Sequence, residues 1–270
     1  MTDTQQVSTT PPGRNAVVPG GIWPTRTARL VTQAIEACRL GRYLGLVTGP
    51  SGIGKTTAAR AAVAAAGDEF SDEFVEAHYL RMTIAAEGLQ PGLIRIGRAI
   101  GASAHPSMSA SEVHDGIVYR MRQWPCGGLL VLDEAQFMAD ALIHAVRDIA
   151  DELDGRGCMA GVVLMGDVTL AARINGKVGP RARQFEPLRG RLGAVVALDG
   201  LDAEDFSVIS HSLGVMAPQA ADLVARVGAG RGGLHNVARL ANTARGIAGA
   251  DNPITLGMLR TAAQVAGVGA

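Results

Sequence analysis

Lysine is almost missing from this chain: of its 25 basic residues, only Lys55 and Lys177 are lysine, and the remainder are arginine. Cysteine is scarce too. Cys38, Cys126 and Cys158 are scattered, with no Cys-x-x-Cys pair, which excludes a disulfide framework and a zinc site built on ligand spacing. Aromatic residues make up only 4%, so the core has to be built from Ala, Val, Leu and Ile. Net charge is zero, which argues against coating nucleic acid by bulk charge while leaving a local basic face possible. No apolar run approaches the roughly 18 residues of a membrane span. The opening MTDTQQVSTTPPGR has no apolar segment of the signal-peptide kind, so a cytoplasmic protein with no membrane partner is expected.

What is present is a globular composition, 47% hydrophobic and 19% charged over 270 residues. Residues 1–24, rich in Thr, Pro and Gly, read as a flexible arm. A helix is predicted over 25–40, with Leu30, Val31, Ala34, Ile35 and Cys38 on one face. Strands are predicted at 43–47, 74–82, 128–132, 162–165 and 193–198. Helices lie between them: 56–66, one opening at Pro91, one opening at Ser109 with Glu112 completing a capping box, and 137–153. From Asp202 onward only helices are expected. Apolar strands alternating with helices, then a helical tail, define an α/β fold with a parallel sheet: a core over 25–199 and a helical lid over 200–270.

Gly49-Pro50-Ser51-Gly52-Ile53-Gly54-Lys55-Thr56, followed by Thr57, fits the phosphate-loop pattern G-x-x-x-x-G-K-S/T between a predicted strand and a predicted helix. Glycines let the backbone curl until successive N–H groups face phosphate oxygens, and the positive end of the following helix faces the same anions. Lys55 is expected to reach the β- and γ-phosphates of ATP, and Thr56 to hold Mg2+. Leu129-Leu130-Val131-Leu132 then ends in Asp133-Glu134, one acid for the metal and one to polarise water.

With both motifs in place the chain resembles the AAA+ ATPases, and within them the branch of the phage Mu transposition protein B and the TnsC-type target-selection ATPases. The stretches that carry the resemblance are GPSGIGKTTAARA, LLVLDEAQFMADALIHAVRDIADELDGRGCMAGVVLMGD, FEPLRGRLGAVVALDGL and GGLHNVARLANTARG. It implies a P-loop NTPase core that binds ATP and Mg2+, assembles as a homo-oligomer or filament on double-stranded DNA, and delivers that DNA to a transposase. Nucleotide contacts fall to Gly49 through Thr57, the metal to Thr56 and Asp133, and water activation to Glu134. Gln136 is either a nucleotide sensor that orients this acid or a solvated helix-start residue.

Three features depart from the family pattern. The strand-end sensor, often Asn, is Asp167 here, with Thr169 nearby; an acid there either points away or senses weakly. The lid's Arg is replaced by His235, with Arg239 one helical turn on. Where the Mu protein carries a separate DNA-binding module, residues 1–24 offer only a short arm, so DNA contacts are expected from the ATPase core itself or from a partner.

The resemblance also implies an arginine supplied to a neighbouring subunit, with Arg191 the first choice and Arg189 the second. The interval from Arg173 to Arg191 is strongly basic, Glu186 being its one acid. Either it is a solvated loop, or Lys177, Arg181 or Arg183 contacts DNA phosphates; Arg95 and Arg98 form a second candidate face. A helicase-loader or secretion-type ATPase acting on a protein partner, and a slowly hydrolysing nucleotide switch, are the competing readings.

Overall fold

The computed structural model describes residues 22–67, 75–124, 128–154, 160–176, 183–215, 217–249 and 252–268. The chain divides into two compact units. One is Arg26–Leu201; the other runs from Asp202 onward and includes the described residues before Arg26.

The first unit is built on a five-stranded sheet in which every strand pairing is parallel, in the order β2-β3-β4-β1-β5. Its strands are β1 (Leu44–Thr48), β2 (Ala77–Arg81), β3 (Gly128–Asp133), β4 (Ala160–Gly166) and β5 (Leu192–Ala197). Register explains the two cores. Leu44 pairs with Val162 and Val162 with Leu130, while Leu46 pairs with Leu164 and Leu164 with Leu132. These side chains form one apolar layer with α3 (Leu89–Ala99), α4 (Ala110–Met121) and α5 (Asp140–Asp154). The alternate residues Val47, Leu129, Val131, Val163 and Met165 face α1 (Arg26–Gly41) and α2 (Lys55–Ala66). A strand covered on both faces reads as an unbroken apolar run, as β1, β3 and β4 do in the sequence. Burying each such side chain contributes about 1.5–3 kcal/mol.

Three local readings need correction. The third helix begins at Leu89, not at Pro91, which sits within the first turn where its missing N–H leaves no intrahelical bond unmade. The helix expected from residue 137 begins at Asp140, because Ala135–Phe137 form a separate 3-10 turn. The second strand is described over Ala77–Arg81; residue 74 lies outside the described residues. The capping box at Ser109 forms as expected: its Oγ accepts from Glu112 N at 3.2 Å, and Glu112 Oε2 accepts from Ser109 N at 2.7 Å. Among the described residues, two short helices, α6 (Val168–Ile174) and α7 (Glu186–Arg189), lie between β4 and β5.

The second unit contains α8 (Ala203–Ser212), α9 (Pro218–Ala229), α10 (Gly233–Ala248) and α11 (Leu256–Ala266). Asp202 caps α8 in a reciprocal pair with Asp205, and Pro218 occupies the first turn of α9, where a fixed φ favours helix initiation. No helix among the described residues is long and apolar enough to cross a membrane.

Candidate nucleotide site

β1 ends at Thr48, and the chain turns at once into the loop before α2. The loop is anchored at its start by Gly49 N donating to Gly166 O at 3.3 Å, beside Leu198 N donating to Thr48 O at 2.7 Å. A Cβ at Gly49 would lie 2.7 Å from Leu198 Cβ and 2.9 Å from its carbonyl oxygen, so no side chain fits there. Gly52 (φ 82°) and Gly54 (φ 97°) are left-handed, a conformation that glycine adopts without steric cost. Gly54 is also the residue from which α2 starts, so the free N–H groups of that helix open into the loop. Ile53 is buried in the α1–α2 layer and pins the loop's middle, while Ser51 and Thr57 stay exposed.

Lys55 is buried, and its Nζ donates to Gly49 O at 2.8 Å and Pro50 O at 2.7 Å. The loop therefore curls around its own ammonium group. Burial pushes the Lys55 pKa down, against the opposing pull of the negative charges on Asp133, Glu134 and Asp167. Three acids thus lie close enough to one loop lysine to act on it.

Asp133, at the end of β3, is 1% exposed. Its Oδ2 accepts from the Thr56 hydroxyl at 2.7 Å and from the Tyr79 hydroxyl at 2.6 Å, and its Oδ1 accepts from Glu134 N at 2.8 Å. Burial first, then the bond to Asp133 and its charge, push the Tyr79 phenol up to about 12, so the hydroxyl stays protonated as a donor. Arg60 of α2 lies over the Tyr79 ring, 4.9 Å from its centroid.

Glu134 takes a left-handed backbone (φ 58°, ψ 36°), uncommon for a residue with a side chain and a feature of functional sites. Its Oε2 accepts from Gln136 Nε2 at 2.5 Å, and its Oε1 lies 3.5 Å from the Arg81 guanidinium. The Gln136 Oε1 in turn accepts from Asp167 N at 3.3 Å. Gln136 is thus a bridge from the second acid to the end of β4, not a solvated residue. Arg173 of α6 holds the turn beneath it, donating to Gln136 O at 3.2 Å, to Asp140 Oδ1 at 2.7 Å and to Met138 O.

The structure brings Gly49, Pro50, Ser51, Gly52, Ile53, Gly54, Lys55, Thr56, Asp133 and Glu134 to one end of the sheet. Asp167 is nearby, but its Oδ1 caps α6, accepting from Thr169 N at 2.8 Å, Leu170 N at 3.3 Å and Thr169 Oγ1 at 2.5 Å. Arg191 is 62% exposed and pairs with Asp151 at 2.9 Å. Arg189 donates to Ile174 O at 2.7 Å. His235 and Arg239 lie exposed on α10 of the second unit, where Arg239 donates to Ala266 O at 2.6 Å. Arg183 is exposed; Lys177 and Arg181 lie outside the described residues. Arg95 and Arg98 each hold a main-chain carbonyl, of Arg81 and Ala104 respectively. Sequence reading missed Tyr79, Arg60, Arg81 and Arg173. The β2–β3 register, which sets Arg81 opposite Asp133 and Tyr79 opposite Val131, is the signal that finds the first and third.

The residues present fit a hydrated magnesium ion with a nucleotide. The proton of the Thr56 hydroxyl is committed to Asp133, which leaves its lone pairs for a cation. No group of three or more His, Cys, Asp or Glu among the described residues is arranged to hold a metal. Magnesium binds through one or two protein oxygens together with water and phosphates instead of an all-protein cage.

A glycine loop that opens a helix, closes on its lysine and faces a buried carboxylate across a parallel sheet defines a P-loop nucleotide hydrolase. The AAA domain family matches residues 38–174, just over half of the chain. The chain belongs to that family and is an ATP hydrolase with the AAA+ fold. No curated protein matches it. Among solved structures it is similar to the Aeropyrum pernix ORC1 protein in complex with DNA, with TM-score 0.64 and 18% identity over 94% of this chain and 69% of that one. Drosophila ORC bound to DNA gives TM-score 0.57 and 16% identity, covering 97% of this chain and 70% of that one. For Cdc6p from Pyrobaculum aerophilum the TM-score is 0.56 at 16% identity, covering 91% and 64%.

Proposed function

We propose that the chain is an ATP-dependent ATPase that binds double-stranded DNA without base preference, assembles on it as an ATP-bound homo-oligomer or filament, and presents that DNA to a transposase. The observation that carries the nucleotide half is the 2.7 Å contact between Thr56 and Asp133, the pair that would hold Mg2+. Magnesium, when bound, supplies charge neutralisation at the phosphates. Loop N–H groups and Lys55 bind and orient the triphosphate. Glu134, once released from Gln136 and Arg81, takes the proton of the attacking water.

Two kinds of support bear on the DNA half. The motif resemblance points to target-selection ATPases, and two of the similar folds were solved with DNA. Within this chain, the exposed Arg183 is favoured over Arg95 and Arg98, which already serve backbone carbonyls, as Arg173 and Arg189 also do. Lys177, Arg181 and Arg183 are the candidate phosphate contacts. A few such contacts per subunit add up along an assembly, and affinity then falls steeply with salt. Arg191, exposed and, among the described residues, paired with the half-buried Asp151, is the candidate arginine donated to a neighbouring subunit's phosphates, ahead of Arg189. His235 and Arg239 are the candidate lid contacts.

Electron microscopy with a non-hydrolysable ATP analogue and duplex DNA tests this reading; the expected outcome is an ordered assembly that forms only with both. Monomers under those conditions would remove the DNA half and leave the ATPase standing. A second reading, the slow nucleotide switch, is favoured by the engagement of both Glu134 oxygens. Turnover that duplex DNA fails to raise above a very low basal rate would support it.

A further inference from the structure

We propose that Tyr79 sets the cation preference of the nucleotide site, limiting Asp133 to one further contact so that hydrated magnesium is taken in preference to calcium. The inference rests on the reading of Thr56 and Asp133 as the metal pair.

A carboxylate offers about four lone-pair positions. Three of those on Asp133 are taken: two on Oδ2, by Thr56 at 2.7 Å and Tyr79 at 2.6 Å, and one on Oδ1, by Glu134 N at 2.8 Å. Thr56 and the Glu134 amide belong to the loop helix and to the acid's own turn. Tyr79 is different. It comes from β2, an edge strand, and supplies the one donor that neither motif requires.

With Tyr79 in place, what remains on Asp133 is about one acceptor position, on Oδ1. That suffices for one metal-bound water or one direct contact. It does not suffice for chelation by both oxygens. Calcium takes six to eight oxygens and readily uses carboxylates in that bidentate way, whereas magnesium keeps an octahedral shell with several waters. Without the hydroxyl, both oxygens would have a free position, and the constraint against the larger ion would be gone.

The hydroxyl is well held. Register places Tyr79 opposite Val131, two residues before the Arg81–Asp133 pair, so its ring runs along the sheet toward the acid. The Arg60 guanidinium lies over the ring at 4.9 Å, bracing β2 against α2. The ring's negative face attracts the cation, which holds the tyrosine in place.

The experiment is calorimetric titration of a non-hydrolysable ATP analogue into the protein in magnesium, calcium or chelator, for wild type, Tyr79→Phe and Arg60→Met, with melting curves to establish folding. Wild type is expected to bind more tightly with magnesium than with calcium. Tyr79→Phe is expected to narrow that ratio about tenfold, through a gain in the calcium complex. A ratio unchanged in folded Tyr79→Phe overturns the proposal, as does an equal loss with both ions, the mark of a merely structural tyrosine. If Tyr79→Phe does not fold, Arg60→Met carries the same test: a narrowed ratio supports the proposal and an unchanged one overturns it. Wild-type affinity that is the same in chelator as in magnesium would instead sink the metal-pair reading itself.

Discussion

Thr56 and Asp133 stand 77 positions apart in the chain, and their side chains meet at 2.7 Å. The contact needs three things at once: a helix that starts at Lys55, a strand that ends at Asp133, and a sheet order that sets β1 and β3 on either side of β4. The first two follow from local features of sequence, Gly54 before the helix and an unbroken apolar run that ends in the acid, whereas the sheet order does not. The meeting of hydroxyl and carboxylate is therefore a product of the fold, and the chemistry of the site depends on it.

Replacing Lys55 with Met removes the donor to Gly49 O and Pro50 O and the ammonium that meets phosphate. Nucleotide affinity is expected to fall by at least about a hundredfold, as the loss of the ammonium's charge-assisted contacts with the β- and γ-phosphates implies. The melting temperature should change little, because removing a buried ammonium also removes its desolvation cost. Calorimetric titration checks the first point. Wild-type affinity in the variant would mean that phosphate binding does not depend on this lysine.

Glu134→Gln keeps the side chain's shape and removes its capacity to take a proton. Turnover is expected to drop by about a hundredfold to a thousandfold, with ATP affinity within a few-fold of wild type. Steady-state phosphate release and equilibrium binding measure the two quantities. Unimpaired turnover would assign proton transfer to another group.

Much of this site could be read from sequence because its parts are local. Gly49 through Thr56 is one continuous loop, and Asp133-Glu134 closes one apolar strand. Tyr79 could not be read, since nothing near it in the chain names Asp133 as its partner; only the pairing of β2 with β3 does so. The contact of Gln136 with Glu134 was one of two alternatives the sequence left open, whereas that of Arg81 was hidden for the same reason as Tyr79. β5 was legible as a strand but not as an edge: among the described residues it pairs only with β1, and its residues are half-buried or exposed in alternation.

Asp167 has two candidate roles, which two substitutions separate. As a cap, its Oδ1 serves Thr169 and Leu170 at the start of α6. Asp167→Ala should then cost about 1 kcal/mol of stability, while Asp167→Asn, an equally good cap, should cost almost nothing. As a charge, it is one of the acids acting on Lys55. Asp167→Asn is therefore expected to tighten ATP binding by a few-fold, since one negative charge near a polyanion is gone. Denaturant melts and binding titrations of both variants decide. If Asn destabilises as much as Ala, the capping account fails; if affinity is unmoved, the charge does not reach the nucleotide.

Cys38 gives a prediction about the fold alone. Its side chain is fully buried between α1 and the sheet, and burial pushes the thiol up to about 12 from an ordinary value of 9.0. A raised folded-state value means that the native protein holds this proton more tightly than the unfolded chain does. The resulting stability is complete below pH 9 and is lost as pH rises from 9 toward 12. Within that window the loss should approach about 1.4 kcal/mol per pH unit from this one group. In a variant with Cys126 and Cys158 replaced by Ser, a thiol reagent at pH 8 is expected to leave the native protein unlabelled and to react fully once denaturant unfolds it. Rapid labelling of the native variant would show that the α1–sheet layer opens without global unfolding.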